Sequence, residues 1–140
     1  MSMAKRQRLP IEDVGTATIL VLNPDAHVRQ LVETAVCSYP LHRNVRLIFE
    51  TDLTDPILAS KPDVIVVNLP ARVESCLSLL SVCRQLMPQT RLIFFGPSDD
   101  TGLCDEAIQR GAYEFLPRSS EWQQLGWILQ GALWTNGRQC

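Results

Sequence analysis

Five short apolar runs punctuate the chain, at residues 18–22 (TILVL), 45–50 (VRLIFE), 64–67 (VIVV), 91–96 (RLIFFG) and 113–116 (YEFL). All are rich in β-branched or aromatic residues and end in turn formers, which predicts strands. Arg46 interrupts the second run and places it nearer a sheet edge. Between the runs the apolar residues recur at helical spacing. Val28, Leu31, Val32, Ala35 and Val36 form one stripe behind Asn23-Pro24-Asp25, where Asn23 reads as the helix cap, Pro24 as the first helical residue and Asp25 as the charge that complements the helix dipole. Residues 38–44, with Pro40, break that helix. Residues 52–60 carry Pro56 and predict only a stunted helix before Lys61-Pro62. Cys76, Leu79, Leu80, Cys83, Leu86 and Met87 line a third helix that Pro88 stops. Leu103, Ala107 and Ile108 pattern a fourth, with Gly111 where a left-handed residue closes the helix. Trp122, Leu125, Leu129 and Leu133 are the buried stripe of a last helix that Ser119 or Ser120 can cap.

Strand and helix thus alternate five times, and the economical architecture is an α/β domain with a five-stranded parallel sheet covered on both faces. Its centre is the stretch 61–70 (KPDVIVVNLP), an unbroken apolar run of the kind buried on both faces. Chemistry in open parallel sheets collects just beyond the carboxyl ends of such strands, so the residue to watch is Asn68.

Composition narrows the function classes. A 140-residue chain suits one domain, and its 46% hydrophobic and 20% charged residues argue against disorder. A formal net charge of −2 offers no global pull toward nucleic acid or a membrane surface. The basic trio Lys5, Arg6 and Arg8 falls in a polar leader, residues 1–15, expected to be solvated. No apolar run approaches the ~20 residues that span a bilayer, and no signal-peptide core is visible, so a cytoplasmic protein is expected. The five cysteines are scattered, with only His27 and His42 as companions, which supports neither disulfides nor zinc and predicts mostly buried thiols. No Ser/His/Asp, Cys/His or paired-carboxylate set converges, and no enzyme is expected.

TILVLNPDAHVRQLV, PDVIVVNLP, LSLLSVCRQLMPQTRLIFFG and AIQRGAYEFLPRSS, in that order and spacing, resemble the receiver domain of two-component response regulators over residues 18–135. The resemblance implies a flavodoxin-like, doubly wound three-layer α/β/α fold with strand order 2-1-3-4-5, here over residues 16–136, with 137–140 as a tail. It also implies a phosphoacceptor aspartate after the third strand, acids after the first to hold magnesium, a hydroxyl after the fourth and a lysine after the fifth. Each matching position departs. Asn68 replaces the acceptor, and an amide cannot form an aspartyl phosphate. Asn23 and Pro24 stand for the acidic pair, leaving Asp25. Gly96 replaces the switch hydroxyl, with Ser98 two residues late, and Arg118 replaces the lysine. Pro70 comes early in its loop. Magnesium affinity should be very weak or absent, no cofactor is expected, and the site reads as vacated.

The expected function is a phosphorylation-independent pseudo-receiver that signals by protein association. Its partner would be another protein, a second copy, or an output domain linked in the native gene. Trp127 and Trp134 lie off the buried stripe of the last helix, beside Gln123 and Gln130. They either fold over the sheet rim or leader, or form an interaction patch. Phe115 matches the family's switch aromatic and is expected to serve as plain packing. Arg118 is expected as a salt-bridged or solvated rim charge. The alternative is a domain sensing a small ligand or anion in the emptied pocket, with Gly96 opening space.

Overall fold

The computed structural model describes residues 16–41, 44–69, 73–96 and 101–137; side chains at 58, 73–76, 101 and 135–137 are not described. The elements are β1 (Thr16–Leu22), α1 (Ala26–Ser38), β2 (Asn44–Glu50), α2 (Asp55–Ser60), β3 (Val64–Asn68), α3 (Val73–Leu86), β4 (Arg91–Gly96), α4 (Thr101–Gln109), β5 (Glu114–Pro117) and α5 (Trp122–Gly137). The leader with its basic trio, His42, Pro70, Ser98, Cys140 and the Cys76 side chain lie outside the described residues.

All pairings are parallel, in the order β2-β1-β3-β4-β5. The period-two alternation of the strands divides the core into two layers. Ile19, Val21, Val64, Val66, Ile93, Phe95 and Leu116 face α1 and α5. Leu20, Leu22, Ile65, Val67, Leu92, Phe94 and Phe115 face the opposite layer, which holds α3 and α4. β3 is buried along its whole length, as its composition requires. At its lower end Asp63 extends the ladder: its carboxylate accepts from Thr18 N at 2.8 Å, and its carbonyl accepts from Arg91 N at 3.0 Å.

Several local expectations are corrected. The cap of α1 is Asp25, whose carboxylate accepts from Val28 N at 2.8 Å. Asn23 stands two residues upstream, at φ 56°, a left-handed conformation that asparagine tolerates better than most residues. Leu86 and Ile108, assigned to buried stripes, are 51% and 39% exposed. Each sits at the edge of its stripe near a helix end, where the sheet no longer covers it. The inner face of α5 also includes Ile128 and Ala132. Ser120 is buried, and its hydroxyl finds no hydrogen-bond partner among the described residues, so it does not cap α5. Cys83 is buried, Cys104 half-buried and Cys37 exposed, so the thiols are less uniformly internal than expected. Gly111 adopts φ 114° after α4, as its position predicts.

Candidate functional site

The carboxyl ends of β1, β3, β4 and β5 bring Asn23, Asn68, Gly96 and Arg118 together at one rim of the sheet. Asn68 is the last residue of β3 and is buried. Its side-chain Nδ2 donates to the Asn23 carbonyl at 3.1 Å, and Asn23 Nδ2 donates back to the Asn68 carbonyl at 3.2 Å. Asn23 N also donates to the Glu50 carbonyl at 2.8 Å, so the β1 loop is tied to both neighbouring strands. The left-handed turn at Asn23 aims its amide across β1 toward β3.

Arg118 completes the closure. Its Nε donates to Asn68 Oδ1 at 3.3 Å, and its Nη2 donates to the Leu69 carbonyl. Its own backbone is held as well, with N donating to the Gly96 carbonyl at 3.2 Å and the carbonyl paired with His27 Nε2 at 3.1 Å. Among the described residues the guanidinium makes no salt bridge; half-buried, it binds the end of β3. A planar fork can serve an amide oxygen and a carbonyl at once, which a lysine ammonium on a flexible stem does less well.

Gly96 does not open space. A Cβ there would lie 2.6 Å from Phe115 Cζ and 3.3 Å from Leu69 Cδ1. The Phe115 ring occupies the volume, only 8% exposed, with the Phe94 ring 6.3 Å away between centroids. Phe115 is core packing at this site, and the alternative of a ligand in a gap at Gly96 loses the gap it needed. A cleft of about 350 Å³ does open nearby, lined by Asn23, Thr51, Asp52, Leu53, Asn68 and Leu79 among others, with the Nδ2 of both asparagines in its wall already engaged.

The arrangement does not fit magnesium. A hard cation needs anionic oxygens. Among the described residues Asp25 spends its carboxylate on Val28 N, Asp52 alone brings a carboxylate to the cleft, Asn23 presents an amide, Pro24 has no donor side chain, and the Arg118 cation already sits beside Asn68. Nor does it fit a nucleophile: a carboxylate at 68 would set an oxygen where Nδ2 now donates to the Asn23 carbonyl, acceptor against acceptor. No group of three or more potential metal-ligating side chains occurs among the described residues. His27 and the Leu69 carbonyl were missed by sequence reasoning. His27 lies 91 residues from its partner, and no local pattern signals the contact.

Along α5, Trp127 and Trp134 are 64% and 61% exposed. With Tyr113, Glu114, Ile128, Gln130 and Gly131 they line an open groove of about 750 Å³ between α5 and the start of β5. The Tyr113 hydroxyl reaches the α5 backbone, 2.7 Å from where a Gly131 Cβ would stand. Gln130 Nε2 donates to the Pro40 carbonyl at 3.3 Å.

No family model matches the chain, and no curated protein matches it. Solved structures do. A response regulator receiver domain from Clostridium thermocellum is 17% identical, with a TM-score of 0.68 over 85% of this chain and 95% of its own. The receiver domain of AraT, a response regulator from Geobacillus stearothermophilus, is 18% identical, with a TM-score of 0.69 over 89% and 98%. The pilus assembly protein CpaE from Caulobacter crescentus is 21% identical, with a TM-score of 0.66 over 84% and 98%. The chain therefore has the receiver fold, flavodoxin-like with strand order 2-1-3-4-5. Proteins of more than one description share that fold, so function has to be argued from the site.

Proposed function

We propose that this chain is a phosphorylation-independent, receiver-like signalling module that works by protein association. Residues 16–136 are its domain, 1–15 a leader and 137–140 a tail. The observation that carries the reading is the closed network of Asn23, Asn68 and Arg118. In an aspartyl-phosphate mechanism a carboxylate attacks phosphorus while a cation and a second positive charge hold the phosphoryl oxygens. Here the acceptor is an amide committed to a carbonyl, and the positive charge is built into the chain at Arg118. The rim of the sheet is thus fastened by three side chains that bond one another and the carbonyls of Asn23, Asn68 and Leu69. Association falls to the exposed face of α5. The module acts in the cytoplasm, on a protein partner or on an output domain of the same gene product, and not on nucleic acid or membrane. Among the described residues no helix is long and apolar enough to cross a membrane.

The test is intact-mass measurement after incubation with acetyl phosphate and magnesium. Wild type is expected to gain no phosphoryl group. Asn68→Asp is expected to gain none either, because Asn23 and Pro24 still supply no acid for the metal. Stoichiometric phosphorylation of the wild type would overturn the reading.

A further inference from the structure

We propose that the cleft between the last turns of α3 and α4 is an anion site, in which Arg84 and Arg110 clamp the phosphoryl group of a small organic phosphate. The proposal goes beyond the association reading above and does not depend on it. In a parallel sheet each crossover helix runs back against the strand before it. These last turns therefore lie at the end of the sheet away from Asn68 and Arg118.

The pattern of α3 builds one wall. Leu80, Cys83 and Met87 are its buried stripe, and at 100° per residue Leu77, Ser81, Arg84 and Gln85 fall together on one flank of that stripe. With Arg110, just past the end of α4, they line an open cleft of about 510 Å³. The lining offers two guanidiniums, a hydroxyl and a carboxamide beside half-buried Leu77. Among the described residues no carboxylate lines it.

Hydrogen bonding within the fold spends little of either arginine. A basic residue near a helix end commonly bonds the last carbonyls, but here the backbone does so. The carbonyls of Glu106, Ala107 and Ile108 accept from the N–H groups of Arg110, Ala112 and Gly111 at 3.0, 3.0 and 3.1 Å, and the Cys83 carbonyl accepts from Met87 N at 2.7 Å. Among the described residues the Arg84 guanidinium has no hydrogen-bonded or ion-paired partner. Its stem is nevertheless seated on Gly111, with Nε 2.7 Å and Cδ 2.9 Å from where a Cβ would stand. A side chain already seated loses less freedom when it grips a ligand. Arg110 gives one N–H to Glu106 Oε2 at 2.7 Å, in an exposed pair one turn apart, and keeps its other donors.

Phosphate suits this lining better than a carboxylate. One guanidinium fork fills a carboxylate, whereas two forks from different helices can grip a tetrahedral group from two sides. The cleft is also larger than a phosphate ion, within the range of small-molecule sites, and Leu77 gives it an apolar wall against which an organic group can lie.

Calorimetric titration of the full chain, without magnesium, tests this with pyrophosphate and with adenosine diphosphate. Both are expected to bind saturably at one site per chain in about 150 mM salt, the nucleotide at least as tightly because its nucleoside can cover Leu77. Arg84→Gln and Arg110→Gln are each expected to weaken both probes about tenfold or more. Glu106→Gln frees Arg110 and removes a competing carboxylate, and is expected to tighten both about threefold. A purely structural ion pair would give no such gain. Arg46→Gln, on exposed residues of the edge strand β2, is the control and should bind as wild type. Thermal melts of each variant confirm folding. Absence of saturable binding by either probe overturns the site. So does a folded Arg84 or Arg110 variant that binds as wild type, an equal loss in Arg46→Gln, or a Glu106→Gln variant with no gain. Pyrophosphate binding without nucleotide binding overturns the organic phosphate. None of these outcomes bears on phosphorylation at residue 68 or on association at α5, so the two proposals fail separately.

Discussion

The contact of Gly96 with Phe115 predicts a definite cost for restoring a side chain at the end of β4. In Gly96→Ala the new Cβ would stand 2.6 Å from Phe115 Cζ and 3.0 Å from Cε1. A phenyl ring is rigid, and Leu69 and Phe94 flank this one, so relief requires either a shift of the β4–β5 pair or outward rotation of the ring. Overpacking of this kind costs ~1–3 kcal/mol, and expelling a phenylalanine forfeits ~1.5–3 kcal/mol of burial. Against either, replacing glycine by alanine returns ~0.4–1 kcal/mol by narrowing the unfolded ensemble. The net expectation is a loss of about 1–2 kcal/mol, or roughly 3–10 °C in Tm for a domain of this size. Urea denaturation should show a lower midpoint at unchanged slope. A double-mutant cycle with Phe115→Leu isolates the clash. Shortening the side chain should relieve the alanine, giving a coupling of ~1 kcal/mol or more. If Gly96→Ala is as stable as wild type, or strictly additive with Phe115→Leu, Phe115 does not fill the position and the emptied-pocket reading regains its space.

Two other substitutions probe the frame that carries the site. Gly126 lets α5 pack on Tyr39, since a Cβ there would meet Tyr39 Cγ at 2.5 Å and Cβ at 2.6 Å. Despite alanine's better helix propensity, Gly126→Ala should cost ~1–3 kcal/mol in the same urea assay, because Tyr39 Cβ is fixed to its backbone. Burial pushes the Cys83 thiol up from 9.0 to about 11. The folded state therefore keeps its proton longer than the unfolded one. The associated stability is fully present below pH 9 and is lost as pH rises through 11, by about 3 kcal/mol at most. Cys83→Ala, though less stable at neutral pH, should show a flatter decline across that window. In native protein at pH 8, alkylation mapped by mass spectrometry should mark exposed Cys37 well before Cys83.

Much of this protein was readable one segment at a time. Strand runs, the stripe of α1, the left-handed glycine after α4 and the unbroken apolar β3 follow from local periodicity and backbone preference, which act over a few residues. Boundaries moved where a side chain had two local uses: Asn23 and Asp25 are both good caps, and only the turn geometry assigned the role to Asp25. The amide at the end of β3 was likewise visible, since Asn68 is an amide in any fold. Its partners were not. Asn23 and Asn68 are 45 residues apart and Arg118 lies 50 beyond Asn68, and each amide had several possible partners until parallel pairing set the strand ends side by side. Gly96 read as empty space for the same reason: a missing side chain says nothing about whose ring fills the volume. The exposure of Trp127 and Trp134 follows from helix phase, which sequence supplies. That Tyr113 and Glu114 lie beside them, making a groove of an exposed ridge, was decided by the edge position of β5 in the folded sheet.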